Sequence, residues 1–286
     1  MSFRAQLAAA SERHGSMLCV GLDPEPAKFP LAWRGDAGRV FDFCAAIVDA
    51  TADLVCAFKP QFAHFAAQRA EAQLERLVAY IHERAPGVPV ILDAKRGDVG
   101  STATMYANEA FERYRADALT LSPFMGLDSL APYADAARWP GKGLILLCRT
   151  SNPGGDDLQA RRLDSGERVY ELVARLAAGE WQARLAGVEL GLVVGATYPA
   201  EVARVRELAP TLPLLIPGIG AQGGDAEATV RAGWRPEGPI IVSSSRAVLW
   251  AAGDAPHVED FALAAREAAS AARGVLESAR PGPRQG

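Results

Sequence analysis

Eight short apolar runs, separated by segments with helical spacing, constrain the fold of this chain more than any other feature. They are MLCVGL (17–22), LVCAFK (54–59), VPVILDAK (88–95), DALTLS (117–122), GLILLCRT (143–150), ELGLVVGA (189–196), LPLLIPG (212–218) and PIIVSSS (239–245). Most are apolar nearly throughout, as strands buried on both faces of a parallel sheet are. Between them Val40, Phe43, Cys44 and Ile47 recur at i, i+3, i+4 and i+7. Leu74, Leu77, Val78 and Ile81 do the same, as do Val169, Leu172, Val173 and Leu176; Val202, Val205 and Ala209 form a weaker stripe. Strands and helices in this alternation predict an α/β protein, a (β/α)8 barrel in one domain over residues 1–279. A doubly wound open sheet is the alternative, but no G-x-G-x-x-G follows the first run, where such sheets place it. Residues 24–37 and 151–165 read as long loops, and 280–286 as a disordered tail.

Composition narrows the class of function. The net charge of the 286 residues is only -4 and the pI about 5.7, so bulk electrostatics point to neither a nucleic acid nor a membrane surface. No apolar run approaches the roughly 18 residues of a spanning helix. The N-terminal stretch, interrupted by Ser11, Glu12, Arg13 and His14, does not read as a signal peptide. Cys19, Cys44, Cys56 and Cys148 lie in apolar segments without C-x-x-C spacing and are expected as buried thiols in a reducing cytoplasm. The four histidines are scattered, so no zinc site is expected.

The third run ends in opposite charges, VPVILDAKRGDVGST over 88–102. Residues two apart in a strand face the same way. Asp93 and Lys95 are therefore expected on one side of the strand's C-terminal end, where barrels carry catalytic groups. Gly97 and Gly100 let the next turn bend tightly or approach a ligand. Ser101 or Thr102 is expected to cap the helix that follows. A structural ion pair is the bland reading; the cost of desolvating one without a task favours function. Near the C-terminus, Gly218, Gly220, Gly223 and Gly224 precede a helical pattern, and SSSRAV places Arg246 after the eighth run. Such glycines bring backbone N–H groups to an anion at a helix start. Barrels commonly hold phosphate after strands seven and eight, and an arginine there can grip two phosphate oxygens. For the glycines alone an ordinary turn remains open.

DAKRGDVGST resembles the D-x-K-x-x-D-[IV]-x-x-T signature of the orotidine 5'-phosphate decarboxylases. Other motifs of that family follow in chain order: LCVGLDP with its aspartate at Asp23, FKPQFAHF with its lysine at Lys59, and TSNPGGDDLQ with its serine at Ser151. PGIGAQGGD places the glutamine at Gln222, and SSSRAV the arginine at Arg246. The resemblance runs from about residue 17 to 252, and the RTSNPGG and SPFMGLDS stretches are similar to the bacterial type 2 branch.

The resemblance implies decarboxylation of orotidine 5'-monophosphate to UMP, the last step of de novo pyrimidine nucleotide synthesis, without metal or cofactor. It implies Lys95 as the group that stabilises and protonates C6, with Asp93 near the leaving carboxylate and Lys59 pairing with Asp93. Asp23 would take a ribose hydroxyl, Ser151 the base, Gln222 base and phosphate, and Gly223, Ser245 and Arg246 the phosphate. It further implies a homodimer with shared sites, in which Asp98 and Thr102 reach into the neighbouring subunit. Arg149 is left open between a supporting and a solvent-facing position, Arg96 is expected at a surface or interface, and the tryptophans are expected in packing. Three rivals remain: a magnesium-dependent barrel enzyme acting on a sugar phosphate, a lysine Schiff-base enzyme, and a non-catalytic nucleotide sensor.

Overall fold

In the computed structural model, which describes residues 1–218, 225–253 and 257–281, all eight apolar runs form parallel strands. These are β1 (Leu18–Leu22), β2 (Ala57–Pro60), β3 (Ile91–Arg96), β4 (Ala118–Leu121), β5 (Gly143–Arg149), β6 (Glu189–Val194), β7 (Leu214–Pro217) and β8 (Ile240–Ser244). Their order around the sheet is β2-β1-β8-β7-β6-β5-β4-β3. Single bridges, Phe58 to Val90 and Gln61 to Asp93, close the ring between β2 and β3. The expected (β/α)8 barrel is what forms, and its seam runs beside the charged strand end.

The principal helices are α1 (Phe3–His14), α2 (Val40–Thr51), α3 (Glu71–Arg84), α4 (Gly100–Asn108), α5 (Val169–Leu176), α6 (Pro199–Leu208), α7 (Ala226–Gly233) and α8 (Val258–Ser278). The stripes on α2, α3 and α6 are buried as their spacing predicts. On α5 the buried face centres on Tyr170 and Ala174 instead of Val169 and Leu172, and the helix runs on into a π-turn over Ala177–Trp181. Residues 24–37 are a loop shaped by short 3-10 turns. Neither Ser101 nor Thr102 caps α4. That helix starts one residue earlier, at Gly100, whose φ of +57° suits a residue without Cβ, and Val99 holds the cap position with no side-chain bond. Residues 282–286, most of the stretch read as a tail, lie outside the described residues.

One inward residue from each strand (Cys19, Ala57, Ile91, Ala118, Ile145, Val193, Leu215 and Ile241) fills the barrel, and Phe3 and Leu7 of α1 cluster with them. A Cβ on Gly143 would meet the Phe3 ring at 2.5 Å, so that glycine makes the room the plug occupies. With its interior packed at the N-terminal end, the barrel leaves its C-terminal end for a site. All four cysteines are free and buried, and Trp139 and Trp181 pack into the core.

Candidate functional site

Asp93 is the centre of the C-terminal mouth. It is 7% exposed; one carboxylate oxygen accepts from Lys59 Nζ at 2.9 Å and the other from Lys95 Nζ at 2.7 Å. Lys59, at the end of β2, is as deeply buried as its partner, whereas the Lys95 side chain is half exposed. Burial would push the Asp93 carboxyl up, but the two ammonium groups outweigh it and hold its pKa well below the usual carboxylate range. Burial would likewise pull Lys59 down, yet the Asp93 and Asp23 carboxylates outweigh that and its pKa ends above the ordinary lysine value. Both groups are charged at neutral pH.

Asp93 and Lys95 do meet on one side, but not through the plain two-residue repeat of a strand. Lys95 adopts φ +48°, a left-handed backbone rare for a residue with a side chain, and the pairing of β3 with β4 slips between Leu92 and Arg96. Thr120 of β4 sits in that irregularity. Its hydroxyl accepts from the Ala94 and Lys95 backbone N–H groups, both at 3.0 Å, and donates to Asp93 at 2.9 Å.

A cavity of about 170 Å3 opens beside the cluster, lined by Asp23, Lys59, Asp93, Gly218, Ser245 and Arg246 among others. One Asp23 oxygen faces no hydrogen-bond partner although buried, an acceptor left free where a ligand hydroxyl could reach. The Ser245 hydroxyl lies 1.9 Å from where a Cβ on Gly21 would stand, so only glycine in β1 admits it. Arg246 is exposed at the rim, without a side-chain partner among the described residues. Gln222 and Gly223 lie outside the described residues. A larger cavity, about 460 Å3, lies at the opposite end beside α1 and α8, lined by Arg4, Trp234, Glu277 and Arg280. Arg280 there stacks on Trp234 and pairs with Glu277, and none of the expected site residues among the described ones lines it.

Asp98 and Thr102 do not join the cluster of their own chain. Asp98 accepts from the Val99 N–H at 2.8 Å, its only side-chain hydrogen bond among the described residues. Thr102 is exposed on α4. Arg96 is half-buried, paired with Glu109 at 2.7 Å and flanked by the Phe62 and Tyr106 rings. Ser151 is half-buried after β5, against Gly195, where any Cβ would stand 2.8 Å from it. Arg149 proves to be buried at 3% exposure, so the solvent-facing alternative is wrong. It donates to Glu201 of α6 at 2.6 Å and to Asp156 of the 151–165 loop at 2.5 Å. The sequence did signal the overlooked residue, since Thr120 is the polar residue inside DALTLS, and Arg149, left open above, ends an apolar run as Asp93 does.

Fold and site together define a (β/α)8-barrel enzyme with a lysine–aspartate cluster at its catalytic face. Residues 16–261 match the orotidine 5'-phosphate decarboxylase / HUMPS family, and the chain belongs to it. It is 66% identical to the orotidine 5'-phosphate decarboxylase of Methylibium petroleiphilum, over 98% of this chain and 100% of that one. The decarboxylase of Variovorax paradoxus is also 66% identical at the same coverage. The structure of Leishmania donovani OMP decarboxylase superposes with a TM-score of 0.81 at 36% identity, covering 98% of this chain and 99% of that one. The reaction is the decarboxylation of orotidine 5'-monophosphate to UMP in pyrimidine biosynthesis.

Proposed function

We propose that Lys95 performs this decarboxylation, without metal or cofactor, from within the charge array that Asp93 organises. When the bond from C6 to the carboxylate breaks, its electron pair stays on C6 as CO2 leaves. The Lys95 ammonium stabilises that charge, then gives C6 a proton, and the neutral amine regains one from water. Asp93 orients Lys95, keeps it protonated, and repels the substrate carboxylate until CO2 departs. Lys59 neutralises Asp93 and reaches the ribose, and Asp23 accepts a ribose hydroxyl. Ser151 and Gln222 hold the base; Gly223, Ser245 and Arg246 hold the phosphate. The observation that carries this reading is a buried carboxylate gripped by two lysines, one of which keeps about half its side chain exposed.

The working unit in this reading is a homodimer in the cytoplasm, with Asp98 and Thr102 completing the partner's site. Asp98 has no charged partner among the described residues of its own chain. Val99 next to it, Met105 on α4, and Phe124 and Met125 after β4 are exposed, Phe124 at 78%, and Met125 comes close to Gly97, the residue before Asp98. An apolar patch beside an unpaired carboxylate suits burial against a second copy. No helix among the described residues is long and apolar enough to cross a membrane.

Lys95→Ala is expected to lose at least about 10⁴-fold in kcat/KM for orotidine 5'-monophosphate, since a group acting only in the transition state is removed, while UMP still binds. Retention of activity within tenfold would overturn the role of Lys95. Mixing inactive Lys95→Ala with inactive Asp98→Ala protein should restore part of the activity through mixed dimers; no recovery would sink the shared site.

A further inference from the structure

The pairing of β3 with β4 contains an interruption that the catalytic reading alone does not explain. Leu92 stands opposite Leu119, and Arg96 opposite Leu121. Three residues, 93 to 95, therefore face the single residue Thr120. Bulges of this kind re-aim side chains and break ladder hydrogen bonds. Here the broken ladder would leave the N–H groups of Ala94 and Lys95 without acceptors. Lys95 would also be held in a left-handed conformation that side-chain sterics oppose.

Thr120 answers both demands with one oxygen. A hydroxyl has two acceptor positions and one proton. Both acceptor positions are taken by the Ala94 and Lys95 N–H groups at 3.0 Å. The proton therefore has one direction left, and Asp93 Oδ1 lies there at 2.9 Å. That same oxygen receives Lys95 Nζ at 2.7 Å. Thr120 is 1% exposed, so water cannot take over these contacts without opening the barrel wall. The backbone of Lys95, its ammonium and its carboxylate partner are thus all registered to one buried atom on the neighbouring strand.

We propose that Thr120 is a positioning residue for the decarboxylation: it holds the bulge that turns Lys95 onto Asp93 and fixes the Asp93 oxygen to which Lys95 is anchored. The inference rests on the reading of Lys95 and Asp93 given above. Strain of this sort persists only where surroundings impose it. Losing the hydroxyl releases the lysine, and a displacement of about 1 Å can cost on the order of 100-fold in rate.

The test compares Thr120→Val, which keeps the shape and loses the hydroxyl, with Thr120→Ser, which keeps the hydroxyl and loses a methyl. Thr120→Val should lower kcat about 100-fold with UMP affinity within threefold of wild type. Thr120→Ser should melt at lower temperature, because it leaves a gap in the wall, and yet keep kcat within threefold. A role in folding alone predicts the reverse pairing, with rate following melting temperature. Should Thr120→Val fail to fold, Thr120→Cys takes its place, with a weaker acceptor of similar size and an expected loss of at least tenfold against Thr120→Ser. Equal kcat in Val (or Cys) and Ser overturns the proposal. Lys95→Ala run in parallel separates the two levels: if it stays active the reading of Lys95 has failed, and if it is dead while Thr120→Val is fully active only the role of Thr120 has.

Discussion

Two cations are buried at opposite ends of this barrel, and the protein satisfies them in different ways. Lys59, at the C-terminal mouth, is 5% exposed and balanced by Asp93 at 2.9 Å. Arg206, on α6 at the N-terminal end, is 2% exposed and has no carboxylate partner among the described residues. Its guanidinium donates to the carbonyls of Ala209, Leu212, Gly233 and Gly238 at 2.6–2.9 Å, and to those of Pro210 and Pro239 at 3.2 Å. Burial, with Arg235 and Arg4 nearby, pulls its pKa down. The carbonyl shell uses all its nitrogens and ties the ends of α6 and α7 to the starts of β7 and β8. Gly238 is part of that joint, since a Cβ there would meet Arg206 at 2.5 Å. Lys59, by contrast, makes one hydrogen bond among the described residues out of the three an ammonium can donate, beside an Asp23 oxygen that makes none. Arg206 is saturated, whereas Lys59 keeps donor positions open, as its proposed role at the ribose requires.

That contrast breaks if the two cations can be exchanged in consequence. Lys59→Met should lower kcat/KM about 10³-fold, the scale of removing one preorganised electrostatic contact. It should cost little stability, because Lys95 and Thr120 still hold Asp93; steady-state rates and melting curves on one preparation decide it. Arg206→Met should do the opposite. Six carbonyls, four of them in buried contacts, lose their donor at once, a loss of about 3–5 kcal/mol, or about 10 °C in melting temperature for a chain of this size. kcat well below the transition should stay within twofold. Arg206→Lys should recover only part of the loss, because an ammonium has three donors where the guanidinium fork has five.

Acid should separate the two ends again. Asp93 has a folded pKa below its unfolded value near 3.9. Its contribution to stability is therefore complete above that value and is lost as pH falls through the folded pKa. Lys59 has a folded pKa above its unfolded value near 10.4, so its contribution holds below that and fades only in stronger alkali. Arg206 has no carboxylate to protonate among the described residues. In chemical denaturation, the stability gap between wild type and Asp93→Asn should narrow as pH drops below about 4, whereas the gap between wild type and Arg206→Met should not change. Parallel narrowing of both would show that the array is not the acid-sensitive element.

How far these features could be read in the sequence follows the same division. Strands buried on both faces announce themselves as apolar runs, and all eight were legible, although β2 begins at Ala57 where the run begins at Leu54. The charges of Asp93 and Lys95 stood out because they end such a run. Arg206 was legible in principle: in the stripe of Val202, Val205 and Ala209 it occupies the i+4 position, where a charge signals a buried partner set. What no spacing rule supplies is the full partner set, because the carbonyls of Gly233, Gly238 and Pro239 reach Arg206 only once the neighbouring units pack. The bulge at Thr120 was hidden for the same reason, being a relation between two strands and not a property of either. The shared-site roles of Asp98 and Thr102 came from the resemblance only, and the described residues of their own chain give them no ligand-facing contact.

The smallest expected effect lies where a saturated and an unsaturated end share one residue. Arg149 grips Glu201, whose side chain is 15% exposed, and Asp156, whose side chain is 60% exposed. The first contact belongs to the scaffold and the second to the 151–165 loop, which Thr150 and Gln159 also fasten. An ion pair with one exposed partner is worth at most about 1 kcal/mol, so Asp156→Asn should raise KM for orotidine 5'-monophosphate about threefold and leave kcat and melting temperature in place. Hydrogen exchange should quicken in peptides from 151–165 and nowhere else. Glu201→Gln, which weakens the buried half of the same grip, should lower the melting temperature as well. If Asp156→Asn destabilises the protein as much as Glu201→Gln does, the loop is part of the scaffold, and the mouth of this barrel is less free to move than its open valences imply.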